Sequence, residues 1–110
     1  MPSYGYKILG QAYPLADTET LLYTVPGGAQ TIVSSIVCCN LSGDEAMFNI
    51  SVSVGGAATS NQDYLFYEVI IPSNETFQAS MGLTMAATDV IRVYSSTGEL
   101  AFSAFGSEYA

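Results

Sequence analysis

An all-β domain, an antiparallel β-sandwich of about eight strands in jelly-roll or immunoglobulin-like order with almost no helix, is the fold this sequence predicts. Three observations predict it. From Met47 to Val54, apolar Phe48, Ile50, Val52 and Val54 alternate with Asn49, Ser51 and Ser53, the period of two that gives a strand one dry and one wet face. Turn-forming residues recur at intervals of roughly 8–12 residues, as strands in a sandwich require. Helical spacing of apolar residues persists nowhere beyond one turn.

The first strand is expected over Tyr4–Leu9, where Tyr4, Tyr6 and Ile8 share one face by alternation and Pro14 stops the run soon after. Leu21–Val25 follows and ends at Pro26-Gly27-Gly28. Thr31–Asn40 is apolar on both sides, with Ile32, Ile36 and Cys38 against Val33, Val37 and Cys39. A strand covered on both faces explains this, and a small sandwich buries only one, so the second face is expected to meet another subunit. Ser42-Gly43-Asp44 leads into Met47–Val54, and Gly55-Gly56 ends it. Tyr64–Ile71 stops at Pro72-Ser73-Asn74, and Glu75–Ser80 comes next. Met81–Ala87 reads either as a brief helical turn or as an irregular strand. Val90–Ser95, the turn Ser96-Thr97-Gly98 and Leu100–Gly106 complete the chain. The inward set is expected to include Phe48, Ile50, Val52, Val69, Ile91, Val93 and Phe102.

With 110 residues, residues 1–110 form a single domain of one modest core, burying ~65% of the unfolded chain's surface. The sequence has no His, and Lys7 and Arg92 are its only basic residues. That removes the usual general base at neutral pH, the commonest metal ligand and any basic patch for phosphate. A formal charge of -8, carried by ten singly spaced carboxylates, repels nucleic acid and anionic membrane. No nucleic-acid or membrane partner is expected. Met1-Pro2-Ser3-Tyr4 carries no basic or apolar leader, and no run reaches the ~18 apolar residues of a membrane helix.

Only 11% of residues are charged, well under the ~25% usual for soluble domains, while Tyr occurs eight times. Tyr joins a rigid apolar ring to a polar tip and is enriched at interfaces, so the composition is that of an assembly subunit. Cys38 and Cys39 are adjacent and point to opposite faces of a strand, so they read as strand residues rather than as a disulfide. Asp44-Glu45 and the Asp17/Glu19 pair read as solvated turn acids. No nucleophile elbow, paired-cysteine metal motif or phosphate loop is present. No enzyme activity, catalytic residue, cofactor or metal is expected. The sequons at Asn40, Asn49 and Asn74 read as strand composition. Tyr64-Leu65-Phe66-Tyr67 carries two readings, a sugar-stacking platform or core packing joined to interface burial.

Leu9-Gly10-Gln11, the stretch from Thr18 to Pro26, and Ile32-Val33-Ser34-Ser35-Ile36-Val37 ending at Asn40 together resemble small virion structural proteins of tailed phages, particularly phages of cyanobacteria and marine bacteria. The block Gly82–Ser95 and the ending Phe102-Ser103-Ala104-Phe105-Gly106-Ser107-Glu108 look like the closing strands of that family. The resemblance implies a virion protein. At the size of one module it implies a capsid decoration or cement protein on the outer surface of the head, a homotrimer bridging subunits of the major capsid protein. The alternatives are a tail, neck or fibre component, or a carbohydrate-binding module for host attachment. Candidate interface residues are Tyr4, Tyr6, Ile8 and Tyr13, with Tyr64 and Phe66. Residues 1–13 form either an N-terminal arm reaching a neighbour or an ordinary first strand.

Overall fold

A computed structural model describes residues 4–109 of the chain. Pro2 and the side chain of Tyr4 lie outside the described set. Eight strands run in the order β1 (Tyr4–Ala12), β2 (Thr20–Thr24), β3 (Gln30–Asn40), β4 (Ala46–Ser53), β5 (Tyr64–Ile71), β6 (Thr76–Met85), β7 (Val90–Ser95) and β8 (Leu100–Tyr109). Two single-turn 3-10 segments, Val54–Gly56 and Asn61–Asp63, are the only helical pieces among the described residues. Met81–Met85 continues β6 as strand, so of the two readings for Met81–Ala87 the extended one holds there.

The strands form two four-stranded antiparallel sheets, β1-β8-β3-β6 and β2-β7-β4-β5. Consecutive strands lie in opposite sheets except β4 and β5, which pair directly, and this is the nested Greek-key order of a jelly roll. An immunoglobulin sandwich would pair the first two strands with each other, so that alternative is excluded. Antiparallel pairing places the β1–β2, β3–β4, β5–β6 and β7–β8 connections at one end and the other three at the opposite end.

Alternation builds the core. Phe48, Ile50, Ile91, Val93 and Phe102 are all buried, and Val52 and Val69 pack against them half-buried. Phe48 sits in a ring cluster, 5.0 Å from Phe77 and 6.0 Å from Phe102, and Phe66 extends it at 5.2 Å from Phe77. Edge and tilted contacts of this kind add to what area burial contributes.

One expectation about β3 is corrected. A register shift between Val33 and Ser35 inserts an extra residue relative to β8, so strict alternation breaks at Ser34. Val33 thus joins Ile36 and Cys38 in the core, and exposed Ile32 joins half-buried Val37 and Cys39 on the outer face. Both faces of β3 remain apolar, as the sequence predicts, with the membership exchanged.

The turn residues do the work that their chemistry suits. Gly28 (φ 79°), Gly55 (φ 66°) and Gly56 (φ 75°) take left-handed backbone at the two glycine pairs, and Asn74 (φ 58°) does so after Pro72. The sequon asparagine Asn40, 1% exposed, is a structural latch. Its Nδ2 donates to the carbonyls of Asp44, Ile71 and Pro72, and its Oδ1 accepts from the Ser42 amide and hydroxyl. One side chain thereby ties β3 to the end of β5 in the other sheet.

Candidate contact surface

Among the described residues nothing covers the outer face of the β1-β8-β3-β6 sheet, and that face is uncharged. Lys7 and Glu108 are the only charged residues in its four strands, and register puts both opposite inward positions: Glu108 faces buried Thr31, and Lys7 faces Gly106, whose β3 partner is buried Val33. Their charges meet each other, Lys7 Nζ lying 2.9 Å from Glu108 Oε1. On the outer side stand Tyr6, Ile8, Ile32, Val37 and Phe105 among small Ser and Thr side chains. Tyr6 is 85% exposed, an unusual state for a large ring on a four-stranded sheet.

This face is not flat. Register shifts fall at one level in three strands, between Ile8 and Gly10 in β1, between Val33 and Ser35 in β3, and across the facing residues of β6. Bulges bend a strand and sharpen its twist, and aligned bulges bend the sheet. The result is a hollow of about 360 Å³ bordered by Tyr6, Lys7, Ile8, Ser34, Phe105 and Gly106. The Ser34 hydroxyl donates to the Phe105 carbonyl (3.1 Å) and satisfies the floor. Gly106 is required there, because a Cβ would strike the backbone of Ile32.

One end of the outer face of the β2-β7-β4-β5 sheet is covered by its own chain, while Leu21 and Ile70 stay exposed farther along it. Arg92 Nη1 donates to Ser53 Oγ (3.2 Å), the Ala57 carbonyl (2.8 Å) and Thr59 Oγ1 (3.2 Å), and Nη2 to the Gly56 carbonyl (3.2 Å). Asp63 accepts from Ser53 Oγ and the Ser60 amide. The 54–63 segment is thereby folded over Ser51 and Ser53, which are buried although they point outward. The edge strand β5 carries two register shifts and a left-handed Glu68 (φ 52°), whose amide donates to Asn49 Oδ1 at 2.7 Å.

Charge is polarised along the strands. Six of the ten carboxylates, Asp17, Glu19, Asp44, Glu45, Glu75 and Glu99, sit in the connections at one end, while Lys7 and Arg92 lie toward the other. Among the described residues no three acids or thiols gather as a metal site. Near the Lys7 end a polar bolt joins the sheets. The Tyr23 hydroxyl donates to Glu108 Oε2 (2.5 Å), and the Thr31 hydroxyl lies 2.7 Å away. Burial, then the Glu108 hydrogen bond, pushes the Tyr23 hydroxyl up to about 12, and the bonds from Tyr23 and Lys7 hold the Glu108 carboxyl below the ordinary carboxylate range. Cys38 is buried and its thiol is pushed up to about 12 by that burial, so it is a neutral core side chain at physiological pH.

The sequence candidates fall in three places. Tyr6 and Ile8 share the outer face of the bare sheet, on β1, which pairs with β8 over Tyr4–Ala12. Tyr13 lies exposed in the β1–β2 connection at the acidic end. Tyr64 and Phe66 point to opposite faces of β5, because the shift beside Ile50 and Ser51 makes Leu65 an extra residue. Phe66 packs inward on Phe77, while Tyr64 meets Tyr67 at 4.8 Å with the rings inclined by 66°. That inclination offers no coplanar platform for a sugar face. Sequence reasoning missed Ser34, Phe105 and Gly106. The signal for them was a Ser-Ser pair interrupting an apolar alternation and a Gly inside a strand.

No family model matches the chain, and no curated protein matches it. Among solved structures, a chain of the infectious bursal disease virus Gx strain superposes over 99% of this chain with a TM-score of 0.57 at 11% identity. A chain of the T13 viral particle of the same virus covers 98% with a TM-score of 0.57 at 9% identity. This chain spans only 31% and 30% of those chains' lengths. At such identity the likeness concerns the fold: the chain is an eight-stranded jelly roll of a form also found within chains of a virus particle.

Proposed function

We propose that this chain is a virion structural protein, a capsid decoration or cement protein on the outer surface of a tailed-phage head. It bridges subunits of the major capsid protein through non-covalent contacts, with no catalytic step. The observation that carries the reading is the uncharged, bulge-hollowed outer face of the β1-β8-β3-β6 sheet. A lone domain in water gains nothing from leaving Tyr6 and Ile8 on a face without charges, whereas a subunit that docks there sheds water at little polar cost. Support comes also from the fold shared with chains of a virus particle and from the resemblance to phage virion proteins. The acidic loop end remains hydrated and keeps the decorated particle negative. On the particle, the resemblance implies three copies around a local three-fold axis.

The test is reconstitution on heads that lack the protein. Added protein is expected to bind the outer surface and to raise resistance to heat and to loss of packaged DNA, and Tyr6→Ala is expected to bind less. Heads equally robust with and without it would refute cementing. Localisation at a tail or neck would replace it with the alternative of a tail, neck or fibre component.

A further inference from the structure

The hollow on the uncovered face lies directly beside Tyr6, the most exposed ring among the described side chains of that sheet. Tyr6 is a knob, 85% exposed, and the hollow of about 360 Å³ that it borders has room for an aromatic ring. A knob next to its own hole is self-complementary under a two-fold axis that passes between them, since the operation sets each knob into the other copy's hole. We infer that in solution, away from any particle, this face is covered by the same face of a second copy, with each Tyr6 seated in the other's hollow. The inference rests on reading this face as the contact surface and goes beyond it by naming the occupant.

Area permits such a pair. With the axis between Tyr6 and the hollow, about three residues from one end of the sheet, ~20 Å of the four strands spaced ~4.8 Å apart overlap, roughly 400 Å² per copy and roughly 800 Å² for the pair, the size of a weak, reversible contact. Charge selects the orientation. Two stacked sheets can be related by an axis along the strands or by one across them. The first superimposes the two acidic loop ends that carry Asp17, Glu19, Asp44, Glu45, Glu75 and Glu99, while the second points them in opposite directions. The axis across the strands is therefore the one adopted. No charge on the face itself opposes the approach. The ammonium of Lys7, the one charged residue at the rim of the hollow, is held by Glu108.

The experiment measures mass in solution for the whole chain, with circular dichroism as the check on folding. Wild type is expected at twice the 11.6 kDa of one chain. Tyr6→Ala removes the knob and is expected to weaken pairing by more than ~100-fold, because each pair loses two buried rings. Ser34→Phe plugs the hole and is expected to be monomeric as well. An equimolar mixture of the two variants regains one intact knob and hole per pair and is expected to dimerise more tightly than either alone. A monomeric or three-chain wild type, or Tyr6→Ala pairing as tightly as wild type, overturns the two-fold pair. If Tyr6→Ala still loses binding to heads while wild type is monomeric, the contact surface stands and only its occupant in solution was misassigned. Unchanged behaviour in both assays removes the contact surface too.

Discussion

The two sheets of this sandwich share one core and treat their outer faces in opposite ways. The β2-β7-β4-β5 sheet is roofed at one end by the 54–63 segment, held down by four Arg92 hydrogen bonds, and its β5 edge is bulged and charged at Glu68. Among the described residues the outer face of the β1-β8-β3-β6 sheet has no such roof, no charge and a Tyr in water. The chain spends one of its two cations to close one face by itself and pairs the other, Lys7, with Glu108 away from the second face. The difference bears on how an exposed apolar residue is read: Leu65 lies at a bulge on a partly roofed sheet, as ordinary surface does, while Tyr6 on an unroofed, uncharged face carries the proposed contact.

The largest expected effect tests whether the faces are one cooperative unit. Phe48→Ala, at the centre of the ring cluster, should cost about 3–5 kcal/mol, and amides of both sheets should lose protection together in hydrogen exchange. Loss confined to one sheet would break the comparison into two independent layers. A smaller effect lies in the bolt between sheets. Because the folded Tyr23 hydroxyl titrates at about 12 against an ordinary value near 10, its contribution is complete below about pH 10 and fades as pH rises toward 12, a loss on the order of 2 kcal/mol. Tyr23→Phe should flatten that alkaline limb of the melting profile. Glu108 acts on the acid side: its depressed folded pKa gives stability that is present above the ordinary carboxylate range and lost as pH falls through the folded value.

Arg92→Ala should cost about 1–2 kcal/mol and release the 54–63 segment, so the amides of Ser51 and Ser53 exchange faster while those of β3 and β8 stay as they were. Faster exchange across both sheets would show that the roof supports the core rather than covering a face. The smallest effect on the folded domain is the most discriminating. Ile8→Ser on the bare face should change unfolding free energy by no more than ~0.5 kcal/mol and yet weaken binding to heads. A large stability loss with intact binding would return Ile8 to the domain's own packing.

Much of the fold is legible residue by residue. Phe48, Ile50 and Val52 alternate because a half-buried strand has period two, whereas Val54, expected to continue that strand, opens a 3-10 segment and is exposed. Pro26-Gly27-Gly28, Gly55-Gly56 and Pro72-Ser73-Asn74 mark reversals because their backbones favour turns or positive φ. The surface was partly legible: Tyr6 and Ile8 fall on one face by alternation, and β3 is apolar on both faces as its composition indicates. What alternation cannot supply is the phase after an inserted residue. Ser34 shifts Ile32 to the outside and Leu65 sends Tyr64 and Phe66 to opposite faces, and a bulge has no composition of its own beyond a small or polar residue in a strand.

By itself the sequence determined an all-β, turn-punctuated domain with one core, few charges and no His, since these depend on local periodicity and on residue chemistry. Only the tertiary structure decided the jelly-roll order, the alignment of bulges from β1, β3 and β6 at one level, and the gathering of six carboxylates at one end. The physical reason is that strand pairing joins residues far apart in the chain. Ile8 meets Phe105, Arg92 reaches back to Gly56, and Tyr23 bonds Glu108, and no local pattern records which distant partner will close each ladder.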